Sequence, residues 1–138
     1  MNIVLRQEKK FLIDVAAYMS KSHLLEQIMM PDEHNAWNGY IVRSVYCDTP
    51  YDTDYCEKSA GVELRRKIRL RIYDPNQNFA MLEMKQKQGP YQRKRSLRLS
   101  RKEAQALIEG DYSVLLNSGS EFGQECYSIM EMWAYRPK

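Results

Sequence analysis

Lys67, Arg69 and Arg71 alternate with Ile68, Leu70 and Ile72. A strand repeats every two residues, so this spacing puts three cations on one face and three aliphatic side chains on the other. A second run repeats the arrangement, with Met81, Glu83, Lys85 and Lys87 on one face and Ala80, Leu82, Met84 and Gln86 on the other. Between Arg65 and Arg101 stand 12 of the 21 basic residues against two acids, Asp74 and Glu83. That segment carries +10 in a chain of net charge +3, so the remainder carries −7. A basic cluster in an otherwise acidic chain points to a polyanion site rather than to general stickiness.

The upstream run Arg6, Glu8, Lys10 has the same period, framed by Val4 and Leu12. One charged face on one strand is ordinary solvated surface. Three strands with cations at Lys10, Lys67, Arg69, Arg71, Lys85 and Lys87 are different, because such charges repel unless an anion sits among them. A phosphate chain satisfies many of these donors together, through the planar fork of arginine and the compact charge of lysine. Glu8 and Glu83 are the acids on these faces. Each suits either of two roles, an oxygen ligand for manganese or magnesium or an internal salt bridge that holds the lysines in place.

The elements that must carry these residues are legible. Residues 3–13 read as a strand. Asp14 is an N-cap for a helix over 15–30, which Pro31 helps to end. A β-branched and aromatic run predicts a strand at 40–48, Thr49-Pro50 breaks it, and a short helix fits 51–59. Strands follow at 62–73, 79–88 and 91–99, joined at the turn cluster Asp74–Asn78 and at Gly89-Pro90. Ser100 with Glu103 three residues on is a capping box for a helix ending near Gly110. A last helix is expected over 120–134. The fold class is α+β, with a mostly antiparallel sheet flanked by helices and curved or part of a barrel. The length of 138 residues suits a single domain, residues 1–138.

Other functions find less support. No apolar run approaches the roughly 20 residues of a membrane span, and the N-terminus does not read as a signal peptide. Cys47, Cys56 and Cys126 form no C-x-x-C pair, which argues against zinc or a disulfide framework and for a cytoplasmic setting. The tyrosines around Tyr46–Tyr55 read as core and turn packing. The methionines at Met29 and Met30, and at Met130 and Met132, read as gap-filling core. Tyr73 and Tyr91 share parity with cations but are thin support for base stacking, so nucleic acid is not the expected partner.

In these residues the chain resembles the VTC domain, the polyphosphate polymerase branch of the triphosphate tunnel (CYTH-like) superfamily. The matching stretches are Arg6-x-Glu8-x-Lys10-Phe11, Tyr40 to Pro50, Lys58 with Gly61, Arg66 to Tyr73, Leu82 to Lys87, and the Lys94-Arg95 strand with the helix and Gly110 that follow. The resemblance implies a triphosphate-tunnel β-barrel with a basic inner wall, in which the γ-phosphate of ATP passes to a growing polyphosphate chain with manganese or magnesium. It implies phosphate contacts at Lys10, Lys67, Arg69, Arg71, Lys85, Lys87 and Lys94, of which Arg69, Arg71 and Lys85 would be catalytic, and metal contacts at Glu8 and Glu83. The partners so implied are ATP, triphosphate or polyphosphate. A triphosphate hydrolase and a polyphosphate- or RNA-binding module without turnover are the competing readings. The family domain carries further strands that close the tunnel, and a sheet lacking them would be expected to cover its edges as a homodimer or by strand exchange. Cys47 stands where an aromatic is common in the family, which reads as a core substitution.

Overall fold

Alternating aliphatic and charged residues over three consecutive strands set the frame. The computed structural model describes residues 9–32 and 39–138 and the backbone of 2–6. The elements are β1 (Asn2–Arg6), α1 (Val15–Ile28), β2 (Arg43–Asp48), α2 (Thr53–Ser59), β3 (Leu64–Ile72), β4 (Phe79–Gln88), β5 (Tyr91–Ser100), α3 (Arg101–Glu109), a 3-10 stretch (Tyr112–Ser118), α4 (Glu121–Met132) and β6 (Arg136–Pro137). They fall into two compact units. One contains β1 and everything from residue 42 onward. The other contains residues 9–32 and 39–41, with α1 as its helix. The Asp14 carboxylate caps α1 by accepting from the Ala17 amide at 2.7 Å, and none of the helix's residues is buried. Met29 and Met30 are exposed, so they do not fill a core as their composition suggested.

The larger unit is built on one sheet in the order β1-β5-β4-β3-β2-β6, with every neighbouring pair antiparallel. The expected α+β class and antiparallel meander are therefore present. The meander turns where the sequence marks it. Asp74 accepts from the Asn76 amide at 2.8 Å in the first turn, and Gly89 takes the left-handed conformation that favours glycine in the second. The first strand is shorter than its periodicity predicted. β1 ends at Arg6, and residues 9–14 are irregular, so Lys10 lies outside the strand.

One sheet face is covered by α3, the 3-10 stretch and α4. Ile68, Leu70, Leu82, Met84 and Leu99 come from the strands, and Leu107, Tyr112, Leu115, Phe122, Cys126 and Met130 from the helical layer. Fully burying each large apolar side chain contributes roughly 1.5–3 kcal/mol, so this layer dominates the stability of the unit. The predicted capping box is formed: the Ser100 side chain accepts from the Glu103 amide, and Glu103 accepts from the Ser100 amide at 2.8 Å. α4 lies so close to the 3-10 stretch that a Cβ at Gly123 would come within 2.7 Å of the Leu115 carbonyl oxygen. Arg95, on the covered face, is clamped by Glu125 of α4 and donates to Gln86 at 2.9 Å, with its guanidinium 4.9 Å from the Phe122 ring centre. Cys47 is buried, as the core reading required, and burial pushes its thiol up to about 11.

The Asp48-Thr49-Pro50 turn ties β2 to α2. The Asp48 carboxylate accepts from the amides of Thr49, Asp54 and Tyr55 at 2.7–3.0 Å. Asp54 itself is buried. Its Oδ1 accepts from the Tyr135 hydroxyl at 2.8 Å, while its Oδ2 has no hydrogen-bond partner. Burial, with Asp48 and Glu57 nearby, pushes its carboxyl up to about 6, against the pull of the Tyr135 hydroxyl and of Arg66 at 4.0 Å. A carboxyl raised from 3.8 to about 6 on folding binds its proton more tightly in the native state. Its charge therefore destabilises the fold above pH 6, and the penalty fades as pH falls towards 4. Asp54→Asn keeps an acceptor for Tyr135 and removes that charge. We expect it to raise unfolding stability by about 2 kcal/mol at pH 8 and by much less at pH 5, as read from urea midpoints of both proteins at both values.

Candidate functional site

The face of the sheet opposite the helical layer carries the charge. Register fixes its rows. Ser44, Arg71 and Met81 stand side by side, with Arg98 next to Met81. Tyr46, Arg69, Glu83 and Ser96 form the next row. Lys67, Lys85 and Lys94 form the third, directly opposite one another on three adjacent strands, with the backbone of Val4 beyond them. Arg65, Lys87 and Gln92 form the fourth, at the sheet's end.

Glu83 organises the middle of this face. Its side chain is only 2% exposed. Its Oε2 accepts from Arg69 Nε at 2.8 Å and lies 2.7 Å from Arg69 Nη2 and 3.9 Å from Arg71 Nη1. Its Oε1 lies 2.5 Å from Lys94 Nζ. Burial alone would raise its carboxyl pKa, but the hydrogen bonds from Lys94 and Arg69 outweigh burial and hold it below the ordinary value. Two polar groups from β2 complete the cluster. The Tyr46 hydroxyl accepts from Arg69 Nη1 at 3.0 Å, and the Ser44 hydroxyl accepts from Arg71 Nε at 3.1 Å. The Tyr46 ring centre lies 5.9 Å from Lys67 Nζ and 5.7 Å from the Arg69 guanidinium carbon. Burial would raise the Tyr46 phenol, yet the Arg69 hydrogen bond and the charges of Arg69, Lys67 and Arg71 bring it below its ordinary value. Burial lowers the Lys67 ammonium and Lys85 lowers it further, with Tyr46 opposing both.

Like charges directly opposite on neighbouring strands are destabilising. The Lys67–Lys85–Lys94 row places two such pairs side by side, and Glu83 engages only Lys94 among the three. An anion laid across this row would meet three cations on three adjacent strands at once. The guanidinium forks of Arg69 and Arg71 stand one row away, each oriented through its Nε by Glu83 or Ser44. Terminal nitrogens on oriented guanidiniums are what bidentate phosphate recognition needs.

The sequence-predicted residues are thus partly assembled. Lys67, Arg69, Arg71, Glu83, Lys85 and Lys94 share one face over three rows. Lys87 shares the face but stands at the strand end, one row beyond Lys85. Lys10 is exposed and belongs to the other compact unit. Glu8 lies outside the described residues. Tyr46 is not core. It is 41% exposed and bonded to Arg69, because it alternates with the inward Val45 and Cys47. That period in β2 is the same signal that reveals the cations of β3. Ser44 and Arg98 share the face by the same rule. Both oxygens of Glu83 are engaged by cations, and among the described residues no group of three or more His, Cys, Asp or Glu side chains could hold a metal ion. The described residues therefore do not fit a metal centre, and Glu83 acts as a counter-ion.

Removing one partner of a buried ion cluster leaves the others uncompensated. Glu83→Gln is expected to cost about 3 kcal/mol in urea unfolding at pH 7. The folded carboxyl lies below its unfolded value, so this contribution is present above the ordinary carboxylate range and lost as pH falls through the folded value. The gap between wild type and variant should close in acid. A gap that stays constant with pH would show that Glu83 stabilises by packing rather than by charge.

No curated protein matches the chain. The family model of the VTC domain matches residues 5–138 and so covers the whole cationic face and the helical layer behind it; the chain belongs to the VTC domain family.

Proposed function

We propose that this chain carries a polyphosphate polymerase-type activity, in which the γ-phosphoryl group of ATP passes to the end of a polyphosphate chain held on the cationic face. The observation that supports it most is the alignment of Lys67, Lys85 and Lys94 on three adjacent strands beside the oriented Arg69 and Arg71, together with membership of the VTC family. Phosphoryl transfer asks little covalent chemistry of a protein, and positioning and charge stabilisation supply most of the acceleration. In this reading a terminal phosphate oxygen of the chain attacks the γ-phosphorus. The bond to the β-phosphate bridging oxygen breaks, and ADP leaves with the electron pair. Arg69, Arg71 and Lys85 neutralise charge on the transferred group, while Lys67 and Lys94 hold the flanking phosphates. Lys87 is assigned to the phosphate chain beyond the reacting centre. Ser44 and Tyr46 orient guanidiniums and are not nucleophiles.

Manganese or magnesium, if required, would supply charge neutralisation on the phosphate oxygens. Glu83 is committed to Arg69 and Lys94, so no step is assigned to metal on it.

The roles separate by experiment. Arg71→Ala and Lys85→Ala should each abolish ATP-dependent polyphosphate formation, measured by product length on gels. Each should also lose the stabilisation by tripolyphosphate, about 2.7 kcal/mol at 100 times the dissociation constant, while intrinsic stability stays within about 1 kcal/mol of wild type. Arg69→Ala should lose both ligand binding and stability, because it also strips Glu83 of a partner. Tripolyphosphate binding unchanged in affinity and stoichiometry with Arg71 and Lys85 both replaced would overturn the site assignment. Binding without any product from ATP would leave a phosphate-binding module instead.

A further inference from the structure

We infer that the end of the β3–β4–β5 meander holds a second anion site, distinct from the Glu83 cluster, for a condensed phosphate. The site is an open cleft of about 440 Å³, lined by Arg65, Arg66, Lys87, Arg93, Glu57 and Tyr91 among others. Register explains how one cleft gathers four cations. Arg65 stands opposite Lys87 on the cationic face, and Arg66, Gln86 and Arg93 stand in line on the other face. The cleft therefore takes residues from both faces at the strand ends.

The charge balance differs from that of the Glu83 cluster. There, a buried carboxylate already binds Arg69 and Lys94 at 2.5–2.8 Å. Here Glu57 is the one acid among the lining residues, and it forms no ion pair with them among the described residues. Lys87 and Arg93 make no ion pair among the described residues. Arg65 donates to the Val62 carbonyl oxygen at 2.6 Å. Arg66 donates to the Tyr135 hydroxyl at 3.2 Å and sits 4.0 Å from Asp54. Glu125 is already clamped by Arg95, whose hydrogen bonds hold its carboxyl low, and it lies near enough to Arg93 and Arg66 for their charges to lower it further. A multiply charged anion is the ligand that complements the four cations. Three of the four are arginines, whose forks match phosphate oxygens. Phosphates in series suit the site better than one isolated phosphate, because the cations are spread over three strands spaced about 4.8 Å apart.

Two sources share this chemistry. One is a separate oligophosphate. The other is the same polyphosphate chain running on from the Lys67–Lys85–Lys94 row, which lies one two-residue step away, about 7 Å along the strands. The second source rests on the function proposed above; the first does not.

Arg65 and Arg93 test the site, since neither belongs to the proposed transfer machinery. Calorimetry at fixed ionic strength would titrate tripolyphosphate and long-chain polyphosphate into the wild type, an Arg65→Ala/Arg93→Ala variant, and an Arg71→Ala/Lys85→Ala variant. The exposed single change Arg93→Glu serves as a second variant if the double one unfolds. Loss of the cleft arginines should weaken long-chain binding about tenfold or more, the equivalent of one charge-assisted hydrogen bond. A fall in tripolyphosphate stoichiometry from two to one would establish a separate site. Unchanged tripolyphosphate binding with weakened long-chain binding would establish a continuous track. Folded cleft variants that bind both ligands as wild type does would overturn the inference. The Arg71/Lys85 arm keeps the two readings apart: normal tripolyphosphate binding there sinks the proposed function, while the cleft still stands or falls on Arg65 and Arg93.

Discussion

The buried carboxylate of Glu83 is the constraint on which the cationic face depends. A sheet that presents Arg69, Arg71, Lys67, Lys85 and Lys94 within three rows would spread or slip without a counter-ion among them. Glu83 supplies it from the middle strand, bonded to Arg69 on one side and Lys94 on the other. Its position is dictated from behind. Leu82 and Met84, its neighbours in sequence, are fully buried against the helical layer, so Glu83 can point only to the opposite face. The apolar packing of one face thus fixes the electrostatics of the other. Glu83 cancels one charge and aims two cations, while the face keeps a surplus of positive charge for a ligand.

The same period-two logic separates cations that are adjacent in sequence. Lys94 joins the Glu83 cluster, while Arg95 turns into the helical layer and clamps Glu125 of α4. Lys67 and Arg69 face the site, whereas Arg66 donates to Tyr135 on the covered side. One run of basic residues therefore builds both a ligand face and the bonds that hold the helices on. Arg95 is a buried charge with its own carboxylate, and this explains why it can sit among Met84, Phe122 and Cys126 at tolerable cost.

Much of this was legible in the sequence because the governing signals are local. Alternation fixes which side of β3 and β4 each residue takes, and the bounds of β4 and the Ser100 capping box follow from turn and cap residues. Five features were not legible, for physical reasons. The first strand's charged alternation continues to Lys10, yet residues 9–14 are irregular, since pairing is decided by the partner strand and not by the pattern. β6 is two residues long, and the Tyr135 carbonyl oxygen just before it accepts from the distant Tyr112 hydroxyl and from Arg136, a tie that no local pattern signals. The 3-10 stretch depends on Gly123 letting α4 approach. Tyr46 reads as core and turn packing because Thr49-Pro50 and the aspartates near it mark a turn, and only its register opposite Arg69 shows that it belongs to the site. The role of Glu83, metal ligand or salt bridge, could not be separated by spacing, because both need a carboxylate among cations. Distances to Arg69 and Lys94 decide it for the described residues.

The distribution of counter-charge along the sheet is more informative than the count of cations. In the Glu83 row the guanidiniums are already bonded and fixed, so they arrive oriented and lose little freedom when a phosphate is added. In the lysine row beside it, three ammoniums stand opposite one another on adjacent strands, and Glu83 engages one of them. At the strand ends, compensation is sparser still. A face graded in this way favours an extended anion over a point charge. The oriented centre selects geometry and the successive cationic rows reward length, because each additional phosphate meets a further row of cations. A single bound phosphate would leave most of these rows unmet, whereas a chain lying along the strands would meet them row by row. That physical preference for a linear polyanion is written in the sheet independently of which chemical step the face goes on to perform.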